Sequence, residues 1–205
     1  YGIMFSYRWL NAQLSIPVPG ISYTAPDRVN TRSYALGLGF TARKWYLKNF
    51  FEYFKGYYMS NPWVVFPAYK PGEIKPYNNM ESITYYFTAY YGFNGNKYSH
   101  KALLWQSEIQ KKSAGSLLMG VTGGYKWIAS DQSIFDSEPL NAPVNAVQYY
   151  VLGLNIGYAY TFKIGKRFSL SGLIVPGANY ITARYNSNVD SYIVYENSFG
   201  LNAEA

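Results

Sequence analysis

From Tyr150 to Phe162 every second residue is large and apolar: Tyr150, Leu152, Leu154, Ile156, Tyr158, Tyr160 and Phe162. The residues between them, Val151, Gly153, Asn155, Gly157, Ala159 and Thr161, are mostly small or polar. A period of two sustained over this stretch describes a β-strand with one greasy face and one small, partly wet face. The pattern recurs where Tyr34, Leu36, Leu38 and Phe40 alternate with Ser33, Ala35, Gly37, Gly39 and Thr41. It recurs again where Ile83, Tyr85, Phe87, Ala89, Tyr91 and Phe93 alternate with Ser82, Thr84, Tyr86, Thr88, Tyr90 and Gly92. Long strands with aromatics on one face and glycines on the other predict an all-β fold, an antiparallel transmembrane β-barrel.

Composition supports that expectation. Aromatic residues make up 20% of the 205-residue chain, including 24 Tyr and 5 Trp, yet the mean hydropathy is slightly below zero. A barrel uses such residues as girdles at two membrane interfaces, where a ring with a polar tip suits the headgroup level. No stretch approaches the ~20 consecutive apolar residues of a membrane helix. Alternation instead spreads the hydrophobicity, and paired strands satisfy their backbone groups inside a bilayer. The chain has no cysteine, which excludes disulfides and Cys-based metal sites.

The net charge of +7 with interleaved aromatics raises nucleic-acid binding as a rival. Here the aromatics keep to one strand face, while Arg43-Lys44, Lys111-Lys112 and Lys166-Arg167 gather at strand ends. That distribution suits a bilayer, where a mid-membrane charge on the lipid side costs ~2–4 kcal/mol. No nucleic-acid partner is expected. Outer-membrane lipid is, with other envelope proteins as candidate partners.

About ten strands are expected. Residues 2–9 and 10–17 make a first hairpin, 32–42 and 45–58 a second about Arg43-Lys44. Residues 80–93 and 97–109 are expected to pair across Asn94-Gly95-Asn96, because Asn-Gly is a strong hairpin signal. A strand follows over 116–128, then a long segment over 130–147. Residues 148–163 and 167–180 pair across Ile164-Gly165-Lys166, and 191–205 is the last strand. Prolines 62, 67, 71 and 76 mark Ser60–Asn79 as a long loop. Counted strictly, this layout puts short turns on both sides of the sheet unless 130–147 hides an extra strand or turn. The chain opens and closes in strand-like alternation, so residues 1–205 are read as one barrel domain, incomplete at both ends.

The run Gln110-Lys111-Lys112-Ser113-Ala114-Gly115-Ser116, followed by Leu117-Leu118-Met119-Gly120, resembles a known family. Tyr1-Gly2-Ile3 through Ser6-Tyr7-Arg8-Trp9-Leu10, Lys55-Gly56-Tyr57-Tyr58 with Asn61-Pro62, and Gly157-Tyr158-Ala159-Tyr160-Thr161-Phe162 resemble it too. It comprises the Bacteroidota outer-membrane barrels catalogued as domain of unknown function forty-four twenty-one. The resemblance implies a barrel fold in the bacterial outer membrane, with further strands on either side of this chain. The complete barrel is expected to have about twelve to fourteen strands. It implies no activity and no catalytic residue.

By alternation Arg8, Lys48, Glu52, Gln106, Glu108, Lys126, Glu196 and Glu204 face the barrel interior. Charges of both signs there line a water-filled pore or form a salt-bridged plug, and the pattern leaves both open. Trp63, Phe66 and Tyr69 make the Ser60–Asn79 loop apolar enough to act as a recognition surface. Lys111 and Lys112 form a basic turn that meets lipid phosphates or, with Ser113, Gly115 and Ser116, cradles an anion. His100, the single histidine, stands beside Ser99 near the rim of tight turns, which keeps a lipid-modifying enzyme as a third-ranked reading. No metal, nucleotide or cofactor motif occurs. The leading expectation is a non-enzymatic accessory barrel presenting long loops to a partner or ligand. A passive, porin-like channel is its main rival.

Overall fold

The computed structural model describes residues 2–17, 31–64, 68–104, 108–137, 142–165, 168–186 and 193–204. The chain is all-β and antiparallel. Its strands are β1 (Gly2–Tyr7), β2 (Leu10–Ser15), β3 (Arg32–Thr41), β4 (Trp45–Met59), β5 (Lys75–Gly92), β6 (Ala114–Ala129), β7 (Phe135–Ser137), β8 (Ala142–Val144), β9 (Ala146–Ile164), β10 (Phe168–Asn186) and β11 (Ile193–Glu204). Nine form one sheet in the order β1-β2-β3-β4-β5-β6-β9-β10-β11, and β7 and β8 form a separate small hairpin. Among the described residues β1 and β11 are the sheet's two edges. No described helix is long and apolar enough to cross a membrane.

Cross-strand register assigns every strand residue to one of two faces. One row runs Ala35, Glu52, Thr84, Lys126, Tyr149, Ala183, Glu196, the next on that face runs Gly37, Phe50, Tyr86, Gly124, Val151, Ile181, Ser198, and the one after it Gly39, Lys48, Thr88, Thr122, Gly153, Asn179, Gly200. The opposite face carries rows such as Phe40, Leu47, Ala89, Val121, Leu154, Ala178, Leu201. Exposure on the two is inverted relative to a water-soluble sheet. Thr122 is 3% exposed and Ala159 is fully buried on the small-residue face, while Leu154 is 70% exposed on the apolar one. The Asn155 amide donates to Thr122 Oγ1 at 2.7 Å within the small-residue face. Asn155 is therefore a packed, hydrogen-bonded position rather than open lining.

Two aromatic belts bound the apolar face. In one, Tyr34 lies 6.3 Å from Tyr53 and Tyr125 lies 5.1 Å from Tyr150, ring centre to ring centre. In the other, Trp9 lies tilted against Phe40 at 5.3 Å, Trp45 edge-on to Tyr91 at 5.0 Å, and Tyr91 edge-on to Phe93 at 5.2 Å. Between them, the described residues of this face include no Asp, Glu, Lys or Arg. Asn49, a polar residue in that zone, accepts a hydrogen bond from the Tyr85 hydroxyl at 3.0 Å.

At one rim lie the short turns β1–β2, β3–β4 and β9–β10, together with the long β5–β6 connection; at the other lie the described parts of the β4–β5 loop and of the segment between β6 and β9. The expected strand over 97–109 does not form. Tyr98 and Ser99 lead instead into a short helix, α1 (His100–Leu104). Removing that strand restores alternation of the rims, and the 130–147 segment contributes the β7–β8 hairpin without adding to the main sheet.

Two further expectations change. The loop expected over Ser60–Asn79 ends sooner, because β5 starts at Lys75 and pairs Pro76 with Tyr58 and Tyr77 with Tyr57. Between the Lys55–Glu81 and Tyr57–Tyr77 pairs the register shifts, with Gly56 at φ 82°. This is a bulge in which only a residue without Cβ sits unstrained. Arg8 does not lie on a strand. It is the first residue of the two-residue β1–β2 turn, at φ 50°, with its guanidinium 5.3 Å over the Tyr7 ring.

Candidate functional site

The densest polar constellation among the described residues is the β5–β6 connection, residues 93–113. Asn94 starts it. Its amide donates to the Gly115 carbonyl at 2.7 Å, and its own carbonyl accepts from the backbone N–H of Lys97 and Tyr98 at 3.0 and 2.9 Å. Gly95 has a steric reason to be glycine: a Cβ there would collide with the Arg43 carbonyl of the β3–β4 turn. The Asn-Gly pair thus bends the chain, but toward α1 and against the neighbouring turn rather than into a returning strand.

The connection folds its apolar residues back over the small-residue face. Tyr98 is almost fully buried with Tyr90, Leu118, Ala159 and Val175, and Tyr46 and Leu103 pack against that cluster. Burial raises the Tyr98 phenol above its ordinary pKa, an effect partly offset by the Thr161 hydroxyl. His100 is 4% exposed, its ring edge-on to Tyr98 at 5.0 Å. A Cβ on Gly92 would collide with His100 Nε2, so this glycine is the seat of the imidazole. Nε2 has no hydrogen-bond partner among the described residues, and desolvation lowers the His100 pKa below 6.5.

Gln110 clamps the segment together. Its amide donates to the carbonyls of Lys97 (2.7 Å) and Lys112 (2.9 Å), and its oxygen accepts from the Ser99 backbone N–H at 2.9 Å. The Ser99 hydroxyl donates to Glu108 at 2.7 Å, and Lys101 pairs with Glu108 at 3.4 Å. These contacts, the serine first, hold the Glu108 carboxyl below its usual pKa. Ser99 thus bonds to Glu108 while the His100 ring packs edge-on to Tyr98, and no serine–histidine hydrogen bond joins them among the described residues.

Between this segment and the β3–β4 turn lies a cavity of 850 Å³, lined by Arg43, Lys97, Lys101, Lys111 and Lys112 with Glu108 as its single carboxylate. The structure brings together Glu108, Lys111 and Lys112 here, and moves Glu108 from the expected barrel lining to a loop. Lys48, Glu52 and Lys126 do share the small-residue face, as alternation indicated. Glu196 and Glu204 fall in register with Ala183 and Val175 of that face. Gln106 and Phe66 lie outside the described residues, as do the side chains of Trp63, Glu196 and Glu204. Tyr69 is half-buried in the 60–74 loop. Gln110, whose partners are backbone atoms, carried no sequence signal.

At the opposite rim the β4–β5 hairpin extends past the bulge and meets the segment leading to β7. Tyr77 donates to the Ser133 carbonyl at 3.2 Å, and Asn79 donates to Asp131 at 2.9 Å. Among the described residues no group of His, Asp or Glu is arranged to hold a metal ion. No curated protein and no solved structure matches the chain. A family model does match it, from residue 1 to residue 205, and the chain belongs to that family, described as a domain of unknown function (DUF4421).

Proposed function

We propose that this chain is part of a β-barrel of a bacterial outer membrane, without enzymatic activity, that presents its long connections to a partner or ligand. The observation that carries the reading is the inverted exposure of the sheet. A face of Leu, Ile, Val and aromatic residues without charge between two aromatic belts is costly in water and suited to lipid. Tyr150 and Tyr158, eight residues apart, are about 26 Å apart along the strand, or about 20 Å along the membrane normal at a tilt of roughly 40°. That is near the height of the apolar band of such barrels. Lys48, Glu52 and Lys126 then face the interior, and the basic rim meets the headgroups of one leaflet. The 60–74 loop and the β7–β8 hairpin form the presenting surface at the other rim.

Folding into phospholipid vesicles tests the reading. Heat-modifiable migration on a detergent gel and protection from external protease are expected. A protein that stays soluble without detergent and migrates identically boiled and unboiled would refute it.

A channel is the second reading, favoured by the exposed Lys48 and Lys126 on the small-residue face. Against an open one stands the packing of Tyr98 and Leu103 over that face at the short-turn rim. Planar-bilayer conductance separates the two. For the enzymatic reading to stand, labelled lipid would have to be hydrolysed and the activity lost in His100→Ala; the separate partners of Ser99 and His100 argue against it.

A further inference from the structure

We propose that the cavity between the β3–β4 turn and the β5–β6 connection is a binding site for a phosphate-bearing ligand. Five cations line it against one carboxylate, and that carboxylate is already engaged by Ser99 and Lys101. Like charges held around one volume repel each other, and an anion seated among them relieves that repulsion. The walls are not free lysine tails on a mobile loop. Gln110 ties the Lys97 and Lys112 backbones to each other and to Ser99, and Gly95 packs against the Arg43 carbonyl, so the cations are carried on braced chain. Bracing of this kind reduces the ordering cost of binding.

The excess of cations over carboxylates is confined to this end of the molecule among the described residues. Among the described residues of the connections at the other rim, Glu73 and Asp131 stand against Lys70, and at the strand ends beside them Lys55 is already paired with Glu81 at 2.6 Å. The basic lining is thus not a general property of the surface. Ligand size follows from volume: a cavity of 850 Å³ is far too large for one phosphate ion and suits a phosphorylated small molecule or a lipid headgroup. Lysine ammonium groups act as point charges toward phosphate, with Arg43 able to bind two oxygens at once.

The test uses the whole chain refolded in a neutral detergent, with two probes. Titration calorimetry with inorganic pyrophosphate examines a soluble source, and mixed micelles doped with a short-chain anionic phospholipid, against a zwitterionic control, examine a lipid source. The pair Lys97→Gln and Lys111→Gln should weaken binding about tenfold or more, with affinity falling steeply as salt rises. Lys70→Gln, at the opposite rim, should leave it unchanged. Circular dichroism and heat-modifiable migration confirm that each variant folds. Binding of pyrophosphate supports a soluble ligand, and binding of the anionic lipid alone supports a headgroup. Absence of binding by both probes, or equal loss in Lys70→Gln and the cavity pair, overturns the proposal. Neither probe tests membrane insertion, so this outcome and that of the barrel reading are separable.

Discussion

Replacing Leu154 with arginine gives the sharpest test of what the apolar face meets. The side chain is 70% exposed and stands on β9 four residues from both Tyr150 and Tyr158, which are exposed on the same face. If that face meets water, an exposed leucine exchanged for arginine changes stability by no more than about 0.5 kcal/mol. If it meets lipid near midplane, the same change costs ~2–4 kcal/mol. At 1.4 kcal/mol per decade, the second case lowers the folding equilibrium constant by about thirty- to several-hundred-fold. The control is Thr84→Arg, on the opposite face between Glu52 and Lys126 in register, where a polar interior tolerates the charge. Urea titrations of protein inserted in phospholipid vesicles, read by the unboiled gel shift, supply both numbers. Equal losses at the two positions, or none at Leu154, would sink the assignment of the lipid face.

Gly92→Ala should displace His100 and loosen α1 by about 1–3 kcal/mol of overpacking, seen as faster protease cleavage within 93–113 and, if the lumen is otherwise open, as increased conductance. Acid should do the same. Because burial lowers the His100 pKa below 6.5, its contribution to docking is complete above 6.5 and is lost as pH falls through the lowered value, so amide exchange at Tyr98 should accelerate there in the native chain but not in His100→Phe. Gln110→Ala leaves the Lys97 and Lys112 carbonyls without their donor at a local cost of about 1–3 kcal/mol, and loss of amide protection at Ser99 is the readout. Arg8→Gly should relieve a positive φ and raise the urea midpoint slightly; a lowered midpoint would mean that the ring contact with Tyr7 outweighs the strain.

The strand faces were legible because period two is a one-dimensional signal: Leu152 and Leu154 fall outward and Gly153 and Asn155 inward by parity alone. Openness was not. Asn155 reads as solvated lining, yet it is packed between Gly120 and Gly177 in register and bonded to Thr122. The 97–109 segment misled because Tyr98, His100 and Ala102 happen to alternate with Lys97, Ser99 and Lys101 after an Asn-Gly pair. The helix-forming run His100-Lys101-Ala102-Leu103-Leu104 was the contrary signal. The approach of the Arg43 carbonyl to Gly95, which turns the chain away from a hairpin, involves residues 52 positions apart and leaves no local trace. Pro76 suggested a loop, since a proline removes a ladder donor, but it sits beyond the bulge where the ladder is already irregular. The cavity was half visible: Lys111-Lys112 stood out, while Arg43 and Lys97 joined them only through the fold.

The bulge at Gly56 carries a consequence for insertions and deletions. Between its flanking pairs β4 advances two residues and β5 advances four. Although that slip is even, the faces exchange. Tyr57 lies 4.5 Å from Phe54, ring centre to ring centre, and its hydroxyl bonds to Ser82, both on the face opposite Lys55 and Glu81. Gly56, in its left-handed conformation, is the residue that the alternation skips. Deleting Gly56 is thus expected to leave Tyr57 on its present side, because ordinary alternation from Phe54 would carry it there, whereas a single residue inserted between Lys55 and Gly56 should turn the hairpin beyond it over.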